Sequence, residues 1–367
     1  MKRILFVTTQ YRVGERIYPI IPKLGAIADL DILKLYQMDP ATEWDGDVDL
    51  RLEFDKKYGK YFDNTYACQH AADIKIDYTK YDLIITDDNR QYNGLTHIYT
   101  NRSCILLACC HGVTDHGYEN HGVGKSFDGC FVFGEKEVTQ EYHLPSGIPA
   151  NDKLSEYKDI DKEHILVIVN YLGNAGTIST GASGIKKPST EGLIAFDSWG
   201  HHGSHHTVFK LFDKEVFDAM DLLELQKQYN KPIVIKMKAR PTTNIKSDVD
   251  YLASILPEGL DYNVLFDVEN DNKLIAQSEV VISAPSTLAL KSLQLQIPTA
   301  LLFGTGQTGL FHDYNGLVPL GKENIKTVLN QKPDVAFINK TITGGIKFNS
   351  TDYFINYIMQ CMEQYNG

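Results

Sequence analysis

The chain has 367 residues, of which 43% are apolar and 23% charged, a composition that suits a globular protein of two domains. No segment approaches the roughly 18 apolar residues that a membrane span requires. The apolar run near Met1 is too short for a signal peptide. The net charge of −11 argues against an extended nucleic-acid footprint, although a small anionic ligand needs only a local group of cations.

The six cysteines are consistent with a reducing compartment. Most of them lie within apolar runs, and their spacing is not that of a metal site. Buried, reduced thiols of this kind are typical of cytoplasmic proteins. We therefore expect a protein without transmembrane segments that works in the cytoplasm or at the membrane periphery.

Short apolar runs separated by helical patterns occupy the first part of the chain. The runs are residues 4–8, 31–35, 83–86, 104–110 and 131–133. Such continuous runs are typical of parallel strands that are buried on both faces of a sheet. A helix is predicted over about 15–28, and an irregular, partly helical stretch over 39–64. The pattern predicts a doubly wound α/β domain over residues 1–150.

Residues 143–163 contain two prolines, a glycine and many charges, and they predict a linker. The same pattern then restarts. Apolar runs are residues 165–169, 232–236, 264–266, 280–282 and 299–303, with helices predicted over about 208–229, 247–256 and 270–277. We expect a second doubly wound domain over 151–350, and a terminal helix within 351–367 that packs back on the first domain. Two such domains facing a cleft would bind ligands at the carboxyl ends of their strands.

The most informative stretch is residues 278–304, where an apolar run ends at Ser283 and a leucine-rich helix follows. Pro285 suits the first helical position, so Ser286 and Thr287 are predicted in the first turn. Their hydroxyls, the free N–H groups and the helix dipole would converge on one spot that suits a phosphate. We assign Ser283, Ser286 and Thr287 to donor binding. The alternative is that the hydroxyls only cap the helix.

Three cations alternate along the end of a predicted strand, namely Lys236, Lys238 and Arg240. Two of the three would point to the same face. Arg240 suits a pyrophosphate because its guanidinium binds oxygens in pairs. Gly173, after the first strand of the second domain, would admit the diphosphate. For the two lysines, a solvated strand edge is the alternative.

A loop rich in histidine and glycine, residues 111–126, follows a predicted strand of the first domain. His111 has the near-neutral pKa that suits a base taking a proton from an acceptor hydroxyl. Asp115 and His116 are alternatives for that role, and Gly112 permits close approach of a substrate. A purely structural loop histidine is the other interpretation.

Four histidines lie between residues 199 and 206 without a cysteine or carboxylate at regular ligand spacing, so we predict no metal site there. His201 and His202, with Gly14 in the first domain, are assigned to acceptor or cleft loops. A plain surface loop is the alternative. The glycines at 304–309 lack the spacing of a dinucleotide fingerprint, which argues against a nicotinamide enzyme.

Residues 109–112, 233–241 and 282–287, with Pro298 after them, resemble three motifs of the GT-B fold glycosyltransferases. The similarity is greatest to the CDP-glycerol glycerophosphotransferases and related capsule-polysaccharide transferases. Two positions depart from that pattern, because Ala239 stands in place of a histidine and Ala284-Pro285 in place of an acidic residue.

The resemblance implies two Rossmann-like domains, with the donor nucleotide held by the second and the acceptor approached from the first. It implies a metal-independent transferase of polysaccharide biosynthesis that moves a sugar or polyol phosphate from a nucleotide-activated donor to a hydroxyl acceptor such as a glycan. DNA is a less favoured acceptor. A UDP-N-acetylglucosamine 2-epimerase, a phage-type DNA-modifying glycosyltransferase and a non-catalytic nucleotide-sugar binding module stay open, because the fold does not choose among them. The donor, the stereochemical outcome and the oligomeric state also stay open.

Overall fold

The computed structural model describes a large part of the chain. The described residues are 2–9, 11–35, 47–68, 73–87, 97–98, 101–110, 127–169, 172, 193–196, 207–210, 212–237, 245–266, 270–302, 309–311, 313–318 and 321–364.

The strands follow the apolar runs of the sequence. They are β1 (Lys2–Thr8), β2 (Ala28–Leu35), β3 (Asn64–Cys68), β4 (Leu83–Thr86), β5 (Ile105–Cys109), β6 (Gly129–Val132), β7 (His143–Pro145), β8 (His164–Val169), β9 (Leu193–Phe196), β10 (Thr207–Lys210), β11 (Ile233–Met237), β12 (Tyr262–Leu265), β13 (Ser278–Ser283), β14 (Thr299–Leu302) and β15 (Leu317–Val318).

Two parallel sheets contain most of these strands. The first has seven strands in the order β3-β2-β1-β4-β5-β6-β7, and the second has six in the order β12-β11-β8-β13-β14-β15. Central strands such as β8 are buried along their whole length, as expected for a sheet covered on both faces. The predicted α/β fold with two doubly wound parallel sheets is confirmed. A separate antiparallel ribbon pairs β9 with β10.

The α-helices of the described residues cover the sheets. Their bounds are Tyr11–Gly14, Ile21–Ile27, Asp47–Tyr58, Lys214–Met220, Leu222–Tyr229, Ile245–Ile255, Asp271–Ala276, Thr287–Gln294, Lys322–Leu329, Val335–Thr341 and Ser350–Gln364. In this part of the chain, none of the helices has both the length and the apolar character that crossing a membrane demands.

The chain divides into two compact units. Unit 1 contains Met1–Asp152 and Asn339–Gly367, and unit 2 contains Lys153–Ile338. The return to unit 1 thus comes at 338/339, earlier than the boundary at 350 expected from the sequence. The reason is that residues ahead of the last helix already pack in unit 1. The Thr343 amide donates to the Phe133 carbonyl at 2.8 Å, and a Cβ on Gly147 would lie 2.2 Å from the Thr343 carbonyl oxygen.

The last helix, Ser350–Gln364, is joined to unit 1 by polar and apolar contacts. The Asp152 carboxylate accepts hydrogen bonds from the amides of Ser350 and Thr351, both at 2.8 Å, and so satisfies N–H groups that a helix start leaves free. About one turn further along the helix, Phe354 stacks on Phe131 with ring centroids 3.7 Å apart.

Two local predictions are wrong. The boundary between the units, after Asp152, lies within residues 143–163, but these residues are not a linker throughout, because β7 joins the edge of the first sheet and a 3-10 helix spans Pro149–Tyr157. An edge strand tolerates Pro145, whose missing N–H faces away from the sheet. The helix expected over 208–229 instead begins with strand β10 and then breaks into two helices at Asp221, which adopts a left-handed backbone with φ of 52°.

A buried histidine at the start of β8 makes stability depend on pH. The Nε2 atom of His164 lies 3.1 Å from the Leu274 carbonyl oxygen and 3.2 Å from Ser278 Oγ. Burial lowers the pKa of His164 from its ordinary value of 6.5. The unfolded chain therefore binds more protons below about pH 6.5, so we expect the free energy of unfolding to fall as the pH drops through that region.

Urea unfolding of the wild type and of His164→Gln at pH 7.5 and pH 5.5 checks this expectation. The glutamine keeps a donor for the Leu274 carbonyl but cannot be protonated, so the variant should lose less stability on acidification. An equal loss in both proteins would show that another group controls the pH dependence.

Candidate functional site

The order of the strands marks one place in each unit where ligands are expected. In unit 2 the chain runs from β8 to β11 and β12 on one side, and returns with β13 on the other side of β8. The connections leave the carboxyl ends of β8 and β13 in opposite directions. A crevice opens at such a topological switch point, and open α/β sheets bind ligands there.

The turn that follows β13 lies at this switch point. Ser286 is the N-cap of the helix Thr287–Gln294, and its Oγ accepts a hydrogen bond from the Ala289 amide at 3.2 Å. The helix thus begins two residues later than predicted, so Pro285 precedes the cap. Capping uses one lone pair of the Ser286 hydroxyl and leaves its proton free to be donated. The Thr287 and Leu288 amides also have no acceptor within the helix.

Ser283 has a different environment from Ser286 and Thr287. Its side chain is fully buried, and its Oγ donates to the Ala284 carbonyl at 2.6 Å. This hydrogen bond stabilises the turn between β13 and the helix. Ser286 and Thr287 are only half-buried. A ligand at the switch point would therefore meet their hydroxyls and the amides of the first turn.

The structure brings Lys236 to the same edge of the sheet. Lys236 of β11 is in register with Ile168 of β8, and Ile168 is in register with Ser283. Two strand spacings put the Cα atoms of Lys236 and Ser283 about 10 Å apart. The Lys236 side chain is largely buried, and its Nζ lies 3.4 Å from Asp271 Oδ1. Sequence reasoning missed this carboxylate, which comes from 35 positions away along the chain and offsets the charge of the lysine.

In unit 1 the loops at the carboxyl edge are held by a guanidinium. Arg16 Nη2 donates to the Cys110 carbonyl at 2.7 Å, and the Cys110 amide donates to the Phe131 carbonyl at 2.9 Å. These bonds fix the backbone of Cys110, directly after β5. Gly14 is buried beside them, where a Cβ would lie 2.2 Å from the Tyr18 hydroxyl oxygen. Gly14 is therefore required for close packing.

The switch point of unit 1, between β1 and β4, contains a carboxylate that sequence reasoning also missed. Asp87 directly follows β4, is fully buried, and accepts hydrogen bonds from Thr8 and Thr9 at the end of β1. Its position in the sequence could have indicated it. A polar residue that directly follows a buried parallel strand lies at the carboxyl edge of the sheet, where ligands bind.

Nine of the residues assigned from the sequence lie outside the described residues. They are His111, Gly112, Asp115, His116, Gly173, His201, His202, Lys238 and Arg240. Among the residues that the structure describes, no group of three or more His, Cys, Asp or Glu side chains is placed to hold a metal ion.

The described part of the unit 2 site consists of groups that can donate hydrogen bonds. It offers a helix start with unshared amides, a hydroxyl proton on Ser286 and a cation, Lys236, in the same row of the sheet. Amides at a helix N-terminus favour negative charge through their partial positive charge. Beside the lysine, at 3.4 Å from its Nζ atom, lies the carboxylate of Asp271.

Solved structures with the same fold cover nearly the whole chain. The UDP-GlcNAc 2-epimerase from Methanocaldococcus jannaschii matches with a TM-score of 0.59 at 12% identity, over 98% of this chain and 99% of that chain. Anabaena Alr3699/HepE, solved in complex with UDP and glucose, matches with a TM-score of 0.53 at 11% identity, over 98% and 99%. The wall teichoic acid polymerase TagF, solved with CDPG, matches with a TM-score of 0.50 at 12% identity, over 100% and 90%.

No protein-family model and no curated protein sequence matches the chain. The structural matches share about one residue in eight with it, and at that level they establish the fold alone. The chain has a GT-B-like fold.

Proposed function

We propose that this chain is an enzyme that binds a nucleotide-activated donor and transfers its sugar, or a polyol phosphate, to a hydroxyl acceptor such as a glycan. The observation that carries the proposal is the helix start at the unit 2 switch point. There the hydroxyls of Ser286 and Thr287 lie next to backbone amides that have no acceptor within the helix. The proposal gains support from the fold, since proteins with this fold have been solved with UDP and glucose and with CDPG.

In the proposed mechanism, unit 2 holds the donor phosphates on Ser286, Thr287 and the amides of the helix start. Arg240 would add a bidentate contact to the pyrophosphate. Departure of the nucleotide concentrates negative charge on its phosphates, and fixed amides and cations stabilise that charge without a metal ion. His111 would take the proton of the acceptor hydroxyl. This mechanism requires no metal, so we propose that turnover continues in EDTA.

Nucleotide affinity tests the proposed phosphate site. Replacing both Ser286 and Thr287 with alanine removes two hydroxyl donors, and we expect the affinity for UDP or CDP, measured by calorimetry, to fall about tenfold or more.

The matched control is Asp334→Ala, which removes the cap of the helix Val335–Thr341, where Asp334 Oδ1 accepts from the Phe337 amide at 2.9 Å. Both changes should cost about 1 kcal/mol of stability, but the control should bind the nucleotide like the wild type. If the double variant also bound it unchanged, the turn would not be a phosphate site.

Epimerisation is the second candidate function, because the epimerase from M. jannaschii matches this chain from end to end. An epimerase would need the same phosphate site but no acceptor. Incubation of the wild type with UDP-N-acetylglucosamine alone separates the two functions. Appearance of the 2-epimer would favour epimerisation, whereas sugar transfer only on addition of a hydroxyl acceptor would favour the transferase. Nucleotide binding with neither reaction would indicate a binding module.

A further inference from the structure

The unit 1 switch point differs chemically from that of unit 2. In unit 1 the chain runs from β1 to β2 and β3, and returns with β4 on the other side of β1. Where unit 2 has small hydroxyl residues after its returning strand, unit 1 has the fully buried carboxylate of Asp87. Burying a charge is costly unless it is compensated. The presence of the Asp87 carboxylate at the carboxyl edge of the sheet therefore requires an explanation.

Among the residues that the structure describes, four donors lie within hydrogen-bond distance of this carboxylate. Asp87 Oδ1 accepts from the amide of Thr9 at 2.9 Å and from its hydroxyl at 2.8 Å. Asp87 Oδ2 accepts from the hydroxyl of Thr8 at 2.7 Å and from that of Tyr18 at 3.3 Å. The Asp87 amide also donates to the Val7 carbonyl at 3.1 Å. We call Asp87, Thr8, Thr9 and Tyr18 the Asp87 clamp, since they tie the ends of β1 and β4 together.

The clamp extends to the loop that follows β1. The Tyr18 hydroxyl lies 2.8 Å from Thr8 Oγ1, and because the Thr8 proton is already donated to Asp87, the single Tyr18 proton is shared between Thr8 Oγ1 and Asp87 Oδ2. Burial and the Asp87 carboxylate raise the pKa of Tyr18 well above its ordinary value, so it keeps that proton. Gly14 packs against the same hydroxyl, with no room for a Cβ. The Tyr18 ring is fixed by an edge contact with Phe54 at 4.6 Å between centroids.

We infer that Asp87 is a positioning residue for the acceptor side of the enzyme. Through Thr9 and Tyr18 it holds the segment 11–17 in the shape in which Gly14 packs on the Tyr18 ring and Arg16 reaches the Cys110 carbonyl after β5. This inference rests on the proposed transfer reaction, in which the acceptor approaches unit 1. Asp87 has no contact with substrate in this role, and it acts through the backbone that it orders.

A second buried carboxylate of the same sheet provides a matched comparison. Asp31 of β2 is fully buried and accepts from the Tyr81 hydroxyl at 2.7 Å and from Asn64 Nδ2 at 2.8 Å. Asn64 is the first residue of β3 and Tyr81 precedes β4, so this cluster lies towards the amino ends of the strands. Asp31→Asn therefore reproduces the chemical change of Asp87→Asn at a distance from the ligand edge.

Amide hydrogen exchange tests the positioning directly. Within the segment, the amides of Glu15 and Ile17 donate to the carbonyls of Tyr11 and Gly14 at 3.0 and 2.9 Å. In Asp87→Asn we expect these two amides to exchange about tenfold faster or more, because the segment opens locally. In Asp31→Asn they should keep the wild-type rates. Equal rates in the wild type and Asp87→Asn would overturn the inference.

A milder pair of variants covers the case in which Asp87→Asn does not fold. Thr9→Val removes one hydroxyl donor of the clamp at nearly constant volume, whereas Thr9→Ser retains it. The inference predicts faster exchange of the Glu15 and Ile17 amides in Thr9→Val and wild-type rates in Thr9→Ser. The same rates in both variants would contradict it.

Kinetics then connect the clamp to the acceptor. With a UDP-sugar donor and a hydroxyl acceptor, Asp87→Asn should raise the acceptor KM severalfold and leave the affinity for UDP, measured by calorimetry, unchanged. Weaker UDP binding would contradict an acceptor-side role. If the wild type transfers nothing, the proposed function fails, and the exchange rates still decide whether Asp87 orders the segment.

Discussion

Replacing Phe354 with alanine is expected to lower the free energy of unfolding of unit 1 by about 3–5 kcal/mol. The Phe354 ring is 1% exposed and stacks on Phe131, so its removal leaves a cavity between the last helix and the first sheet. The loss combines the transfer free energy of the ring with the unfilled volume. Urea unfolding followed by circular dichroism measures it.

The neighbouring Tyr353 provides the control, because it is an aromatic residue of the same helix and is 38% exposed. Tyr353→Ala should cost well under half as much, since water already covers much of the ring. Similar losses in the two variants would mean that the helix is not held by its buried face. Loss of the helix from unit 1 would also separate Asp152 from its two amide donors.

Replacing Asp31 with alanine is expected to lower the free energy of unfolding by about 2–4 kcal/mol, because the donors around the carboxylate lose their acceptor. The carboxylate accepts from the Tyr81 hydroxyl, from the backbone and side-chain amides of Asn64, and from Arg3 Nη2 at 3.2 Å. Alanine supplies no acceptor, so the buried Tyr81 hydroxyl loses its partner, whereas the exposed Asn64 and the partly exposed Arg3 can turn to water. Burial, followed by the hydrogen bond to Asp31, raises the pKa of Tyr81, so Tyr81 keeps the proton that it donates to Asp31. The measurement is again urea unfolding.

A graded series identifies the cause. Tyr81→Phe removes a single donor and should cost about 1–2 kcal/mol, and Asp29→Ala, at a half-exposed position of the same strand, should cost about 1 kcal/mol or less. If Asp31→Ala were no worse than Asp29→Ala, the hydrogen bonds around Asp31 would contribute little to stability.

The apolar strands could be predicted from sequence because their signal is local. Runs such as Ile165–Val169 require no partner to be recognised, since a strand buried on both faces is apolar throughout. The strands that were not predicted lack a continuous apolar run. β3 at the edge of its sheet is partly exposed, and β15 has only two residues. The ribbon of β9 and β10 was missed because Val208 and its neighbours were assigned to a helix of similar apolar content.

The candidate site could be predicted only where its residues are consecutive. Residues 283–287 form a strand end, a turn and a helix start, so their geometry follows from the order of residue types. Lys236 was found in the same way, but its pairing with Asp271 was not, because nothing in the sequence links the two residues.

The sequence by itself therefore determined the fold class and the helix start at the unit 2 switch point, since short-range periodicity, a proline and small hydroxyl residues specify both. The tertiary structure alone decided which charges meet. Asp87 contacts Thr8 across 79 positions of the chain, Asp31 contacts Tyr81 across 50, and the last helix returns to unit 1 to meet Asp152. The physical reason is that a buried charge is stabilised by donors brought from distant segments, and only the order of the strands in the sheet determines which segments become neighbours.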